Sequence, residues 1–274
     1  MGYYYVLSDI HGFYRQLYAR FDQLGNLHTV IDNGGEDKLI LLGDYIDGGP
    51  NSFKTIDMIF CFQEGCPENV IVLRGNHEDM FLDYLDGKDD AWLGADVNLN
   101  TSKTFLLEDQ LKKVEELSKL SNVNEANSYI RTCIKENHKD LISWMRKLPY
   151  YYETEEQIFV HAGIDEEAGE YWKVGTPDYY FVSKYPATTG KFHKDIIAGH
   201  IGTSTISGNP NFNDIYYDGK SHYYIDGTVA LSGYIPILVY DEIKKKYYSL
   251  ENEEHPIYHT REDRYRVRGE LRLL

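Results

Sequence analysis

Hydrophobic runs of strand length recur along this chain, and five of them stop at a glycine-containing turn that carries an Asp, His or Asn. They are VLSDIHG (Asp9, His11), LILLGDYID (Asp44), VIVLRGNHE (Asn76, His77), IFVHAG (His161) and IIAGH (His200). Residues 3–7 read as a buried strand. HGFYRQLYARFDQLG follows as an amphipathic helix, with Phe13, Leu17 and Phe21 recurring at near four-residue spacing. Strand 38–42 leads to GDYIDGGPNS and a second helix with Phe53, Ile56, Ile59 and Phe60 on one side, and strand 69–73 leads to GNHE. From Asn76 to His161 the pattern is helical. Leu107, Leu111, Val114, Leu117 and Leu120 form one stripe, Ile130, Cys133 and Ile134 another, and Leu141, Ile142, Met145 and Leu148 a third that ends before Pro149. From Gln157 onward strands are expected at 157–161, 194–198, 221–226, 234–240 and 246–250, the last two joined through DEIKKK.

Strands of an open α/β sheet present their carboxyl ends to a common crevice, so polar residues far apart in sequence can converge there. Gly12, Gly43, Gly75, Gly163 and Gly199 are expected to let the backbone turn sharply past each strand. The expected organisation is one α/β domain over residues 1–250, with a helical insertion at about 80–148 shaping the rim of the site, and a C-terminal segment 251–274.

Composition narrows the partners. The net charge of −16 disfavours polyanions such as long nucleic acids. The mildly basic stretch Arg261 to Arg272 reads as a solvated terminal segment or a packed helix. No run approaches the length of a membrane helix, and MGYYYVLSD has neither a basic region nor a cleavage site, which points to the cytoplasm. Cys61, Cys66 and Cys133 lack CxxC spacing and read as reduced and structural. The 25 tyrosines are expected on strand surfaces and turns.

Asp9 and His11 stand at i and i+2, on the same side of an extended segment. Asp44 has two carboxylate oxygens with which to bridge two cations, Asn76 offers a neutral carbonyl oxygen, and His161 and His200 offer imidazole nitrogens. This mixed nitrogen and oxygen set suits two divalent transition-metal ions, manganese, iron or zinc, better than calcium.

The motifs SDIHG, GDYIDGG, RGNHED, VHAG and AGH, in this order, resemble the phosphoprotein phosphatase type of calcineurin-like metallophosphoesterase, from about residue 3 to about residue 240. Asp9, Asp44, Asn76, His161 and His200 follow one another at separations of 35, 32, 85 and 39 residues. The resemblance implies a metallo-dependent phosphatase fold, a central β-sandwich flanked by helices in four layers. It places Asp9, His11 and Asp44 on a first metal and Asp44, Asn76, His161 and His200 on a second, with His200 close to the first. It also implies direct attack on phosphorus by a metal-bridging hydroxide. His77 would protonate the leaving group and Asp47 would steady the imidazolium, although Asp47 also fits a helix cap near Pro50.

The chain departs from the family pattern where GDxxDRG is usual, because Gly48 stands in the arginine's place. No arginine lies between His161 and His200, and Lys184 is the nearest local match to a second phosphate-binding arginine. Lys184 and Arg74 are therefore the candidate phosphate contacts, with a structural ion pair the competing role for Arg74. The implied substrate is a phosphoserine or phosphothreonine protein. A dinucleoside polyphosphate or other small phosphodiester or phosphoanhydride is the alternative, and a non-catalytic metal-binding scaffold is the alternative of another class.

Overall fold

The computed structural model describes residues 2–24, 36–120 and 122–252. Nearly all of the expected segment 251–274, with its arginines, lies outside the described residues.

Among the described residues, ten strands form two five-stranded sheets. In the first, Tyr3–Leu7 (β1), Lys38–Leu41 (β2) and Val70–Val72 (β3) run parallel. Further along the chain, Leu238–Asp241 (β9) pairs antiparallel with β1, and Lys246–Ser249 (β10) pairs antiparallel with β9. In the second sheet Gln157–Val160 (β5), Asp195–Ala198 (β6) and His222–Tyr224 (β8) run parallel, edged by Tyr151–Glu153 (β4) and Tyr216–Tyr217 (β7). The short edge strands β4 and β7 are additions to the sequence expectation. At three and two residues they are too brief to show an alternating pattern.

The register explains why the runs are hydrophobic throughout rather than alternating. Val6, Ile40 and Ile71 form one row across the first sheet and meet Phe159, Ile197 and Tyr223 of the second. The neighbouring row, Leu7, Leu41 and Val72, faces the other way and packs on helices. Side chains alternate faces along a strand, so strands covered on both faces must be apolar at every position. The outer face of the first sheet is covered by Tyr14–Gln23 (α1) through Leu17 and Phe21, and by Ser52–Gly65 (α2) through Ile56 and Ile59. Beyond them lie Asn76–Asp86 (α3), Ser102–Phe105 (α4), Glu108–Lys119 (α5), Val123–Asn137 (α6) and Lys139–Met145 (α7). Trp172–Gly175 (α8) and Asp178–Ser183 (α9) cover the second sheet through Trp172, Phe181 and Val182. The order of layers is helices, sheet, sheet, helices.

Two details differ from the sequence pattern. Leu107 and Leu120, the ends of the first stripe, are exposed, since they flank α5, which buries Val114 and Leu117. Several tyrosines sit not on strand surfaces but inside the sandwich. Tyr4, Tyr223, Tyr240 and Tyr247 belong to the apolar core between the sheets. Their hydroxyls reach its edge, where Tyr247 donates to Asp195 at 2.9 Å and Tyr4 to Glu242 at 2.5 Å. A phenol suits such a place because its ring is apolar and its tip is not.

Candidate dinuclear metal centre

The parallel strands of both sheets direct their carboxyl ends to one crevice. Asp9 and His11 follow β1, Asp44 follows β2, Asn76 and His77 open α3 after β3, and His161 and His200 follow β5 and β6. Backbone bonds tie these turns together past the strand ends: Ile10 and His11 N–H both donate to the Asp44 carbonyl, at 2.8 and 2.9 Å, and Gly199 N–H donates to that of His161 at 2.8 Å. Asp9, His11, Asp44, Asp47 and His200 adopt left-handed backbone, with φ of 53°, 48°, 57°, 71° and 64°. Non-glycine residues rarely do so, and such strain collects at functional sites. The glycines therefore act partly otherwise than expected. Gly75 has φ −100°, and its role is close approach, because a Cβ there would lie 2.2 Å from Asp44 Oδ1.

Asp44 Oδ2 is the hub. It lies 3.3 Å from His161 Nε2, 3.7 Å from His11 Nε2 and 3.9 Å from His77 Nε2. Asp44 Oδ1 instead accepts the His77 backbone N–H at 3.0 Å, so one oxygen, not two, faces both sets of candidate ligands. Asn76 Oδ1 lies 3.0 Å from both His161 Nε2 and His200 Nδ1, and 3.3 Å from Asp44 Oδ2. Ligands at right angles on one ion, with bonds of about 2.1 Å, stand about 3.0 Å apart. The Asp9, His11 and Asp44 side is wider, with His11 Nε2 at 4.0 Å from Asp9 Oδ1, still inside the roughly 4.2 Å that two opposed ligands can span.

The donor set fits cations. Asn76 Oδ1 faces not only Asp44 Oδ2 but also the Val182 carbonyl at 3.2 Å, oxygen against oxygen. Turning the amide over would put an N–H there; a cation makes the present orientation favourable by attracting all the lone pairs at once. Among the described residues, Asp44 with His161 and His200, and Asp44 with His11 and His77, are the groups of three His or carboxylate side chains whose ligand atoms gather this closely.

His77 is held differently from the other histidines. Its Nδ1 donates to Asp47 Oδ2 at 2.7 Å, which leaves Nε2 facing Asp44. Asp47 does not cap α2: Asn51 stands at that cap, and the Asp47 carboxylate is engaged by His77, Trp92 and Thr101. Arg74 and Lys184 are not brought into the centre. Arg74 pairs with Asp79 at 3.0 Å, donates to the Met145 and Arg146 carbonyls and lies against the Tyr150 ring. The buried Lys184 ammonium donates to the Ile164 carbonyl at 2.7 Å and to Glu166 at 3.0 Å.

A family model described as calcineurin-like phosphoesterase matches residues 3–231. The chain belongs to the calcineurin-like phosphoesterase family. The Caenorhabditis elegans serine/threonine-protein phosphatase PP1-delta is 41% identical over 73 residues, 27% of this chain and 22% of the relative. The symmetrical bis(5'-nucleosyl)-tetraphosphatase of Wigglesworthia glossinidia brevipalpis is 28% identical over 162 residues, 58% of this chain and 44% of the relative. The matched stretch thus spans less than half the length of either. Among solved structures, one with a provisional diadenosine tetraphosphatase assignment superposes with a TM-score of 0.52 at 15% identity, covering 94% of each chain. A cold-active protein tyrosine phosphatase gives 0.54 at 13%, covering 91% of this chain and 76% of that one. At such identities these two show the fold alone.

In this phosphoesterase two further carboxylates stand beside the candidate ligands. Glu78 is fully buried and accepts the backbone N–H groups of Asp44 (2.9 Å), Tyr45 (2.8 Å) and Gly75 (3.0 Å), locking the GDY turn to the GNH turn. Asp226 follows β8, and burial together with the charge of Asp9 raises its pKa to about 7. Its sequence signal was present, since HYYIDG is a sixth hydrophobic run ending in an acid and a glycine.

Among the protein's own charges the centre is proton-hungry. Burial pushes Asp9 up to about 6 and Glu78 up to about 7. Burial lowers His161 and His77, but the surrounding carboxylates together outweigh it, Asp44 and Asp9 around His161 and Asp44 and Asp47 around His77, and raise both to about 9. Burial would raise Asp44, but the charges of His161, His77 and His11 together pull it far below the usual carboxylate range. Burial and the charge of His161 lower His200 to about 4. Groups raised on folding stabilise the fold fully below their unfolded pKa and lose that contribution as pH rises through the folded value. The depressed groups, Asp44 and His200, act oppositely, and their contribution is already complete above pH 6.5. Between pH 6.5 and 9 only the raised groups titrate, so the chelated protein loses stability with rising pH. Cations compete for the same lone pairs and bind more firmly as protons leave. The rise in Tm on adding manganese is expected to grow across that range by on the order of 5 °C. A scan of Tm with manganese and with chelator measures it.

Proposed function

We propose that this protein is a metal-dependent phosphomonoesterase of the serine/threonine protein phosphatase kind. The observation that carries the reading is the His77–Asp47 pair, with Nδ1 committed to Asp47 and Nε2 facing Asp44. A non-catalytic scaffold needs no such proton donor. Asp9, His11 and Asp44 would hold one divalent ion and Asp44, Asn76, His161 and His200 the other, with manganese, iron or zinc suited to the donors. Such ions supply Lewis acidity toward phosphoryl oxygens and make water acidic. The chain's own part is to orient the phosphate in the crevice and to hold a proton at His77 Nε2 until the leaving oxygen takes it. With His77 raised to about 9, the imidazole carries that proton at neutral pH.

A cavity of about 230 Å³ opens beside Asn76, lined by Asp79, Asp83 and Asp89 together with Met80, Trp92 and Tyr179. Asp79 is paired with Arg74 and Asp83 with Lys88, so Asp89 leaves the cavity a net negative charge; that charge disfavours additional phosphates and supports a phosphorylated protein over a dinucleoside polyphosphate. The second reading, hydrolysis of a dinucleoside polyphosphate, is favoured by Gly48, since a substrate with less charge per phosphorus needs the usual arginine least. The manganese-loaded protein, compared on a phosphoserine peptide, on bis(p-nitrophenyl) phosphate and on diadenosine tetraphosphate, separates the readings. A preference for either of the last two overturns the protein phosphatase assignment.

Gly48 also gives a gain-of-function test. It is exposed, with φ +77°, and an added Cβ meets nothing closer than His11 Cβ at 3.6 Å. Gly48→Arg is expected to lower KM for a dianionic monoester by roughly 10- to 100-fold, corresponding to about 1.5–3 kcal/mol for a charge-assisted hydrogen bond. Left-handed backbone would cost roughly 1 kcal/mol of stability. Steady-state kinetics and a Tm reading check both.

A further inference from the structure

We propose that Trp92 and Thr101, from the segment between α3 and α5, are positioning residues for the proton donor, acting through Asp47; the inference rests on the role assigned to His77 above. Asp47 is 1% exposed, and each of its oxygens is claimed from this segment. Trp92 Nε1 donates to Oδ2 at 2.9 Å, beside the His77 Nδ1 bond of 2.7 Å, and Thr101 Oγ1 donates to Oδ1 at 2.6 Å. Because the carboxylate only accepts, the Thr101 proton must point to it. The 3.3 Å contact between Thr101 and Ser52 hydroxyls is then donated by Ser52, whose oxygen in turn accepts the Asp47 backbone N–H at 3.0 Å. The ring of bonds is closed, and it allows the carboxylate one orientation.

The clamp is itself braced. Trp92 packs against Phe81 and Tyr84 of α3, the helix whose first turn carries His77, with ring centroids 4.9 and 4.8 Å apart. Thr101 and Ser102 backbone N–H groups donate to the buried Asp96, and Asn100 Nδ2 donates to the Gly48 and Gly49 carbonyls at 3.1 and 2.9 Å. Without either donor the carboxylate can rotate, and the His77 ring that depends on it loses its aim. Geometry of this kind decides the efficiency of proton transfer.

The test uses Thr101→Val, which removes one donor with little change of shape, Trp92→Phe, which removes the other along with one ring of the packed indole, and Thr101→Ser, which keeps the hydroxyl. A serine alkoxide needs a proton to leave, whereas p-nitrophenolate needs little help. With manganese present, kcat on a phosphoserine peptide is expected to fall roughly tenfold or more, a share of the 10²–10⁴ typical of general acid–base catalysis. The fall on p-nitrophenyl phosphate should be several-fold smaller, metal content should hold in all variants and KM in the two Thr101 variants, and Thr101→Ser should recover the peptide rate. An equal fall on both substrates, or no fall, overturns the proposal. Wild-type protein and His77→Asn run beside them report separately on the underlying reading, because loss of His77 that spares both substrates removes that reading itself. The His77 Nδ1–H signal in ¹⁵N-histidine-labelled protein gives a readout independent of turnover. Its solvent exchange should quicken at least tenfold in Thr101→Val, and an unchanged rate also overturns the proposal.

Discussion

Asp44→Asn is expected to leave the protein with no more than one tightly held metal ion per chain and to lower kcat by at least about 10³-fold, since each several kcal/mol of Lewis-acid stabilisation lost is worth that much. Oδ2 of Asp44 lies within 4 Å of the Nε2 atoms of His11, His77 and His161 together. An amide there presents either a single weak oxygen or an N–H group that repels cations. Near-isosteric replacement keeps the crevice filled, so the loss should appear in metal analysis and kinetics while the fold, read by circular dichroism, persists. Retention of two ions with near-normal kcat would overturn the bridging role and, with it, the dinuclear assignment.

His77→Asn is expected to lower kcat on a phosphoserine peptide by about 10²–10⁴-fold, the usual contribution of a positioned acid, with metal content nearly unchanged. The sign of its pH dependence follows from the folded pKa of about 9. The acid form is complete at neutral pH and is lost as pH rises toward that value, so wild-type activity on an alkyl ester falls on the alkaline side and the variant loses that limb. Cations beside Asp44 oppose the imidazolium charge and move the limb to lower pH. Loss of one metal equivalent in the variant would instead make His77 a ligand, a role its 3.9 Å separation from Asp44 Oδ2 permits.

Strand placement was legible because burial on both faces leaves a contiguous apolar run that only a covered strand of this length needs, as in LILL and VIVL. Strands β4 and β7 were not legible, because three and two residues carry no period. The tyrosines misled because composition says nothing of direction: Tyr247 lies between the sheets with its hydroxyl donating to Asp195, far off in sequence. The candidate ligands could be read one turn at a time, each from its own motif. Trp92 and Thr101 could not, since their link to Asp47 spans 45 and 54 residues and follows no spacing rule.

The sequence by itself determined the family, the alternation of apolar strands with polar glycine turns, and the chemical identities of the donors, because each of these is a local property of a few adjacent residues. Only the tertiary structure decided that a single oxygen of Asp44 faces both ligand sets, that Glu78 locks two turns together, and that Arg74 and Lys184 are engaged elsewhere. Those outcomes depend on which groups from distant segments meet within about 3 Å, and that is settled by sheet register and helix packing rather than by any neighbour along the chain.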